Sequence, residues 1–168
     1  MLFFKDFIRK VEEGNYNDLK DKENFSLESM QKLGILGISF PILAIGVFSI
    51  YSATRGVKFN YAIIIIGALL CLLAFKQFSK LFSFTITIDK TKKLIKSKEI
   101  NLKFINIDTC TLKEMAFKRG IRPVLDIIYY DKEVKKQLII PLIMNKKVRF
   151  VQYFKKLLGK KFLIKEEN

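Results

Sequence analysis

Two long uncharged apolar runs, separated by only four residues, constrain this chain more than any other feature. Residues 33–54 form the first run and residues 59–75 form the second. A helix rises 1.5 Å per residue, so about twenty apolar residues cross a hydrocarbon core of roughly 30 Å. The two runs therefore predict a transmembrane hairpin over residues 33–75, with TM1 at 33–54 and TM2 at 59–75.

The positive charge of the chain is concentrated after this hairpin. Residues 76–168 carry 23 basic and 9 acidic residues, a formal +14 of the total +15. Basic residues also precede the hairpin, whereas its turn holds only Arg55 and Lys58. Because Lys and Arg near helix ends favour the cytoplasmic side, this asymmetry predicts a multi-pass protein of the cytoplasmic (inner) membrane with both termini in the cytoplasm.

The first 32 residues predict an amphipathic helix followed by a linker. Apolar residues recur at helical spacing at Phe3, Phe4, Phe7, Ile8 and Val11. Two roles fit this helix: it lies on the bilayer interface, or it docks against the C-terminal domain. Residues 13–23 are polar and are typical of a linker.

The third part, residues 76–168, predicts a sheet followed by one helix. The apolar period changes from helical to alternating at residue 82, and strands are predicted at 82–88, 94–100, 103–112, 124–130 and 137–142. Asp131, Lys132 and Glu133 suit a hairpin turn. Asn145 offers a cap for an amphipathic helix that ends at Gly159 and packs on the sheet. The predicted fold class is a membrane α-helical hairpin with an α+β domain, whose antiparallel sheet has five or six strands.

Three of these strands and the closing helix follow an order found in a known group of proteins. They are the strand Phe84-Thr-Ile-Thr-Ile-Asp89 with its lysine-rich turn, the strand Ile105-Asn-Ile-Asp108, the strand Leu138-Ile-Ile-Pro-Leu142 and the amphipathic helix. Over residues 34–158 the chain resembles small bacterial membrane proteins in which a transmembrane hairpin leads into a pleckstrin-homology-like (PH-like) domain.

The resemblance implies a strongly bent antiparallel sheet capped by the C-terminal helix. The full fold has seven strands, more than the sequence predicts here. The first turn also lacks the arginine of the phosphoinositide-binding pattern, so inositol-lipid binding is not implied.

The residue types in the chain disfavour catalysis. There is no histidine, so no imidazole can act as a general base or metal ligand. The two cysteines, Cys71 and Cys110, imply no disulfide framework, and Cys110 is interpreted as a core residue rather than a nucleophile. No glycine-rich phosphate loop follows a strand. We predict a protein that is not an enzyme and needs no metal or cofactor.

Basic residues are the candidate binding residues. A lysine or arginine near an anionic membrane surface contributes roughly 1 kcal/mol. One cluster follows the first predicted strand, and a second lies in a predicted basic loop at 113–122; together they comprise Lys90, Lys92, Lys93, Lys96, Lys98, Lys118, Arg119 and Arg122. A solvated basic face without a ligand is the alternative interpretation.

These features predict a membrane-anchored interaction module. Its basic PH-like domain would dock on anionic lipid headgroups of the inner leaflet or on an acidic protein partner in the membrane. The alternative function is immunity, the protection of the cell against a toxin or bacteriocin-like peptide at the membrane. Nucleic acid is a weaker candidate partner because the chain is tethered to the bilayer. The sequence leaves the oligomeric state undecided. A homo-oligomer is one alternative, because Gly67 and Cys71 have the spacing of small residues that allows membrane helices to pair.

Overall fold

The computed structural model describes residues 2–14, 18–55, 60–98, 100–117 and 120–165. The chain divides into two compact units. Residues 27–84 form the helical unit, and residues 1–26 together with residues 85–168 form the β unit. The helical unit is therefore an insertion within the sequence of the β unit.

The elements follow one another as helices and strands of very different lengths. In chain order they are α1 (Leu2–Glu12), β1 (Lys22–Ser26), α2 (Ser29–Arg55), α3 (Tyr61–Ser83), β2 (Thr85–Asp89), β3 (Leu94–Lys96), β4 (Asn101–Lys103), β5 (Ile107–Phe117), β6 (Gly120–Asp131), β7 (Val134–Pro141), α4 (Lys147–Leu158) and β8 (Phe162–Ile164). Short 3₁₀ turns at Phe104–Asn106 and Gly159–Lys161 lead into β5 and β8.

The helical unit confirms the prediction of two long apolar helices. Helix α2 has 27 residues and α3 has 23, and both are long and apolar enough to cross a membrane. Large apolar side chains such as Phe48, Leu72 and Phe75 stay exposed on their surfaces. Exposed apolar surface of this extent is unfavourable in water and suits a hydrocarbon surrounding.

Helix α3 differs from the sequence prediction at its end. It begins after Asn60, whose side chain accepts a hydrogen bond from the Ile63 N–H at 3.4 Å. It then continues through two lysines to Ser83, so the predicted strand at 82–88 starts only at Thr85. Lysines are good helix formers, and they let the helix extend past its apolar run.

The two helices pack closely through small residues. On α2 the buried positions are seven residues apart, at Ser39, Gly46 and Ala53. A Cβ atom at Gly67 of α3 would lie 2.8 Å from the Gly46 carbonyl oxygen and 2.7 Å from Ile50 Cγ1. Such distances are too short for any side chain, so the glycines allow the two backbones to approach each other.

The β unit contains two four-stranded sheets, which corrects the prediction of one antiparallel sheet with five or six strands. The first has the order β1-β2-β3-β4, with neighbouring strands antiparallel. The second has the order β7-β6-β5-β8 and is mixed, because β8 runs parallel to β5. The additional strands come from outside the predicted domain core: β1 precedes the apolar helices, and β8 follows α4.

The turn between β6 and β7 and the helix α4 largely agree with the predictions from the sequence. Lys132 and Glu133 both have positive φ, at 48° and 71°, as the predicted tight hairpin between β6 and β7 requires. Helix α4 ends at Gly159 as predicted. Its N-terminal cap is Lys146 rather than Asn145, because the Asn145 side chain instead accepts a hydrogen bond from the Ser26 N–H at 3.1 Å.

Helix α1 docks within the β unit, which decides between the two roles that its sequence allowed. Its apolar face is buried at Phe4, Phe7, Ile8 and Val11, and α1 contacts α4. The neighbouring strand β1 contributes Phe25, which is fully buried and packs edge-on against Phe150 at 5.0 Å between ring centroids. The segment before the helices is therefore part of the core of the β unit.

The close approach of α2 and α3 makes a testable prediction. We expect Gly67→Val to destabilise the helical unit by about 1–3 kcal/mol, because the added methyl groups would overlap Ile50 and the Gly46 carbonyl. Gly37→Val on α2 is the matched control, since a Cβ atom at Gly37 meets nothing within 4 Å. Gel filtration of purified protein in detergent after stepwise heating measures the difference. Equal heat resistance of the two variants would contradict the close packing.

Candidate functional site

The outer surface of the first sheet carries a cluster of lysines. Alternation along the strands puts Lys22, Lys96 and Lys103 on one face, because Lys22 lies opposite Asp89, Lys96 opposite Thr87 and Lys103 opposite Leu94. Lys92, in the turn between β2 and β3, lines a groove on the same face. We call these four residues, Lys22, Lys92, Lys96 and Lys103, the lysine face.

The groove on the lysine face has a volume of about 450 Å³ and a polar floor. Thr87 Oγ1 donates a hydrogen bond to Asn24 Oδ1 at 2.8 Å, and Asp89 Oδ1 accepts one from the Lys92 backbone N–H at 2.8 Å. These bonds order the floor and the turn without using any lysine ammonium group. The arrangement can bind an extended acidic group or a phosphate by charge and hydrogen bonds.

Among the described residues, the ammonium groups of the lysine face have no acidic ion-pair partner. All four side chains are exposed. Across residues 2–14, 18–55, 60–98, 100–117 and 120–165, no carboxylate lies within ion-pair distance of them. The four lysines outnumber the Asp89 carboxylate on this face, so the face keeps a positive potential that attracts an acidic surface.

The first predicted cluster is only partly gathered on this face. Lys92 and Lys96 belong to it, whereas Lys90 forms an ion pair with Asp21 at 3.7 Å. Lys93 lies in the turn with φ 49°, and Lys98 follows the end of β3; both are exposed. Sequence reasoning missed Lys22 and Lys103. The alternation of β4 was the available signal for Lys103, but the pairing partner of Lys22 lies beyond the whole helical insertion.

The second predicted cluster lies elsewhere in the β unit. The predicted basic loop at 113–122 is wrong for the residues that the structure describes, since 113–117 belong to β5 and 120–122 belong to β6. Arg122 lies opposite Met115 in this hairpin and is half-buried. Lys118 and Arg119 lie outside the described residues. Arg122 and the lysine face therefore belong to different sheets.

A buried carboxylate joins the N-terminal segment to α4. Glu23 on β1 is almost completely buried, and its oxygens lie 3.1 Å from Lys146 Nζ, 3.3 Å from Arg149 Nε and 3.0 Å from the Tyr153 hydroxyl. The same hydroxyl lies 2.7 Å from the Lys20 carbonyl oxygen. Burial, together with the hydrogen bond to Glu23 and its charge, raises the pKa of the Tyr153 hydroxyl. Each polar group in this cluster is satisfied, so the cluster has a structural role.

A second polar cluster lies on the outer face of the second sheet. Asp126 accepts hydrogen bonds from Lys113 Nζ at 2.7 Å and from Gln137 Nε2 at 2.8 Å. Burial favours its neutral form, but these two hydrogen bonds and the Lys113 charge together lower the pKa of Asp126 below its ordinary value. Asp126 thus stays charged and holds the central strands β5, β6 and β7 together.

The remaining groups with reactive potential are Cys110 and the acidic side chains of the described residues. Cys110 is fully buried, and burial and the nearby Asp126 charge raise the pKa of its thiol, so the thiol stays protonated and unreactive. Among the residues with described placement, no three of His, Cys, Asp and Glu come together as a metal site. Comparison of the chain with protein-family models, curated proteins and solved structures finds no match.

The Glu23 cluster makes a second testable prediction. Glu23→Gln is expected to lower the stability of the β unit by about 1–3 kcal/mol, because it removes charged hydrogen bonds between β1 and α4. Trypsin should then cleave faster at Lys20 and Lys22, as the N-terminal segment detaches more often. Glu133→Gln, an exposed turn residue with the same change of charge, is the control. If both variants resist trypsin equally, Glu23 does not hold the segment in place.

Proposed function

We propose that this chain is a membrane-anchored interaction module, without catalytic activity, whose lysine face binds an acidic surface of a partner protein. One observation supports the proposal more than any other: four exposed lysines, which form no ion pair with a carboxylate of the described residues, lie on a β unit that is interrupted by two helices able to cross a membrane. The helices hold the unit at a membrane, and the lysines supply an electrostatic binding surface there.

The connections between the units are short. Two residues join β1 to α2, and one residue joins α3 to β2. A β unit attached in this way stays at the membrane surface, so its local concentration near any partner in the same membrane is high.

The lysine face reaches the end of β2 that is opposite the junction of β2 with α3. Strand β2 starts at Thr85, directly after α3, and ends at Asp89, before the turn that contains Lys92. Five residues of strand extend about 16 Å. Lys22 and Lys92 lie at this far end of the strand, since Lys22 is opposite Asp89. The groove beside them can bind an extended acidic group, and this favours an acidic protein segment as the ligand.

The architecture supports a PH-like identity for the β unit. Seven strands precede α4, the number that the full PH-like fold has, and they form two sheets of consecutive strands, β1–β4 and β5–β7. The helix that follows buries Phe150, Tyr153 and Phe154 in the core. We propose on this basis that the two membrane helices replace the connection between the first two strands of a PH-like domain.

We also propose that the β unit lies in the cytoplasm, at the inner membrane. Both of its segments belong to one compact unit, so they lie on the same side of a membrane that α2 and α3 cross. Basic residues flank the outer ends of the helices at Lys32, Lys76 and Lys80, and this favours the cytoplasmic side.

A binding measurement with defined acidic probes tests the proposed function. The full chain in zwitterionic nanodiscs is mixed with labelled polyglutamate or with phosphatidylglycerol vesicles, at low and high salt. We expect salt-sensitive binding of polyglutamate. The double variant Lys92→Glu/Lys96→Glu should weaken it up to about thirty-fold, which corresponds to about 2 kcal/mol for the loss of two exposed ion pairs at up to about 1 kcal/mol each.

The control reverses the same number of charges at another place. Lys160→Glu/Lys165→Glu changes two exposed lysines near the C-terminal strand and should leave most of the binding intact. Binding to the vesicles alone would identify anionic lipid as the ligand of the lysine face in place of protein. Equal losses in both double variants would mean that only the net charge matters and would overturn the proposal.

A further inference from the structure

The hairpin of β5 and β6 extends well beyond the rest of its sheet. The two strands pair as far as Phe117 and Gly120. Their neighbours stop earlier: β7 pairs with β6 only from Val124 onward, and β8 pairs with β5 only as far as Leu112. Residues 113–117 and 120–123 therefore form a two-stranded ribbon with no neighbouring strand on either edge among the described residues. We call these residues the ribbon.

The end of the ribbon is apolar on both faces. Phe117 is 39% exposed and Ile121 is 69% exposed. Ile121 lies opposite Ala116, so it points to the other face from Phe117, which lies opposite Gly120. Exposed apolar side chains on both faces of a narrow ribbon are unfavourable in water, and one flat protein surface could cover only one of them.

The ribbon carries Lys113, which is paired with Asp126, and Arg122, and the sequence between its two strands adds the basic residues Lys118 and Arg119. Arg122 follows Ile121 directly, and the half-buried Glu114 is the one acidic residue of the 113–123 sequence. An apolar end flanked by basic residues matches the interface of an anionic bilayer, where apolar groups enter the acyl boundary and cations meet the headgroups.

The ribbon also leaves the β unit at the end where the chain passes to the helices. Its base is fixed by the Leu142 N–H, which donates to the Pro123 carbonyl at 3.1 Å. Three residues later, the Asn145 N–H donates to the Ser26 carbonyl at 2.8 Å. Ser26 pairs with Thr85, and these two residues are the ends of β1 and β2 next to the helices. The opposite end of the second sheet is the turn before Val134.

We propose that the ribbon inserts Phe117 and Ile121 into the interface of the anionic bilayer, with Arg122 at the headgroups. This inference rests on the membrane anchoring in the proposed function, and it adds a second, peripheral contact that orients the β unit. The ribbon and the lysine face then have separate tasks: the ribbon contacts lipid at the near end, and the lysine face stays available to a partner.

Tryptophan fluorescence tests the insertion, because the native chain contains no tryptophan. The full chain with Phe117→Trp or Ile121→Trp is reconstituted into vesicles of phosphatidylglycerol and phosphatidylcholine with brominated acyl chains. We expect a shift of the emission to shorter wavelength and a loss of intensity relative to unbrominated vesicles. Adding Arg122→Glu to Phe117→Trp should reduce that loss.

Two further reporters separate failure of the insertion from failure of the anchoring. Val134→Trp places the reporter at an exposed apolar position at the opposite end of the same sheet and should not be quenched. Leu69→Trp places it on the exposed surface of α3 and should be quenched strongly. If Leu69→Trp is quenched and both ribbon reporters respond no more than Val134→Trp, the insertion is wrong. If Leu69→Trp is not quenched, α3 does not cross the membrane, and this result contradicts the proposed function as well.

Discussion

The pairing of β1 with β2 is the constraint on which the rest of this structure depends. The two strands are hydrogen-bonded neighbours from Lys22 opposite Asp89 to Ser26 opposite Thr85, although both apolar helices lie between them in the sequence. The chain must therefore leave the sheet, form two antiparallel helices and return to its starting point. The same pairing brings α1 against α4 and Glu23 against Arg149, so the first 26 residues complete the core of a domain formed mostly by the last 84.

This arrangement gives the β unit two different ends. The near end is the one that contains Ser26 and Thr85, the residues of β1 and β2 that are next to the helices in the sequence. The ribbon extends from Pro123, whose carbonyl accepts a hydrogen bond from the Leu142 N–H. At the far end of β2, the ammonium groups of Lys92 and of its neighbours on the lysine face form no ion pair with a carboxylate of the described residues. Charge and apolar surface are thus separated along the domain, and each end suits a different partner. In our account the near end contacts lipid and the far end binds an acidic protein.

Much of this fold could be predicted where the signal is local. Uninterrupted apolar runs predicted α2 and α3, and the alternation of Ile86 and Ile88 predicted β2. Strand β1 could not be predicted, because Lys-Glu-Asn-Phe-Ser is typical of a polar linker, and its burial depends on a partner strand that is 63 residues away at the pair Asn24 and Thr87. The lysine face was half predicted for the same reason: Lys92 and Lys96 lie in a visible cluster, but Lys22 joins them only through that pairing. The sequence predicts a basic loop at 113–122 because charged residues interrupt the apolar alternation there, whereas the structure has 113–117 in β5 and 120–122 in β6.

The most direct test of this account is a disulfide between the strands that flank the helices. Asn24 and Thr87 lie opposite each other, with their side chains hydrogen-bonded at 2.8 Å, within reach of a disulfide. Lys96 lies one strand further, about 10 Å from Asn24, which is too far. In oxidised membranes, Asn24→Cys/Thr87→Cys should form the intramolecular bond, seen as a linked peptide by mass spectrometry, and Asn24→Cys/Lys96→Cys should not. Free thiols in the first variant, or equal linkage in both, would contradict the pairing and the insertion of the helices between paired strands.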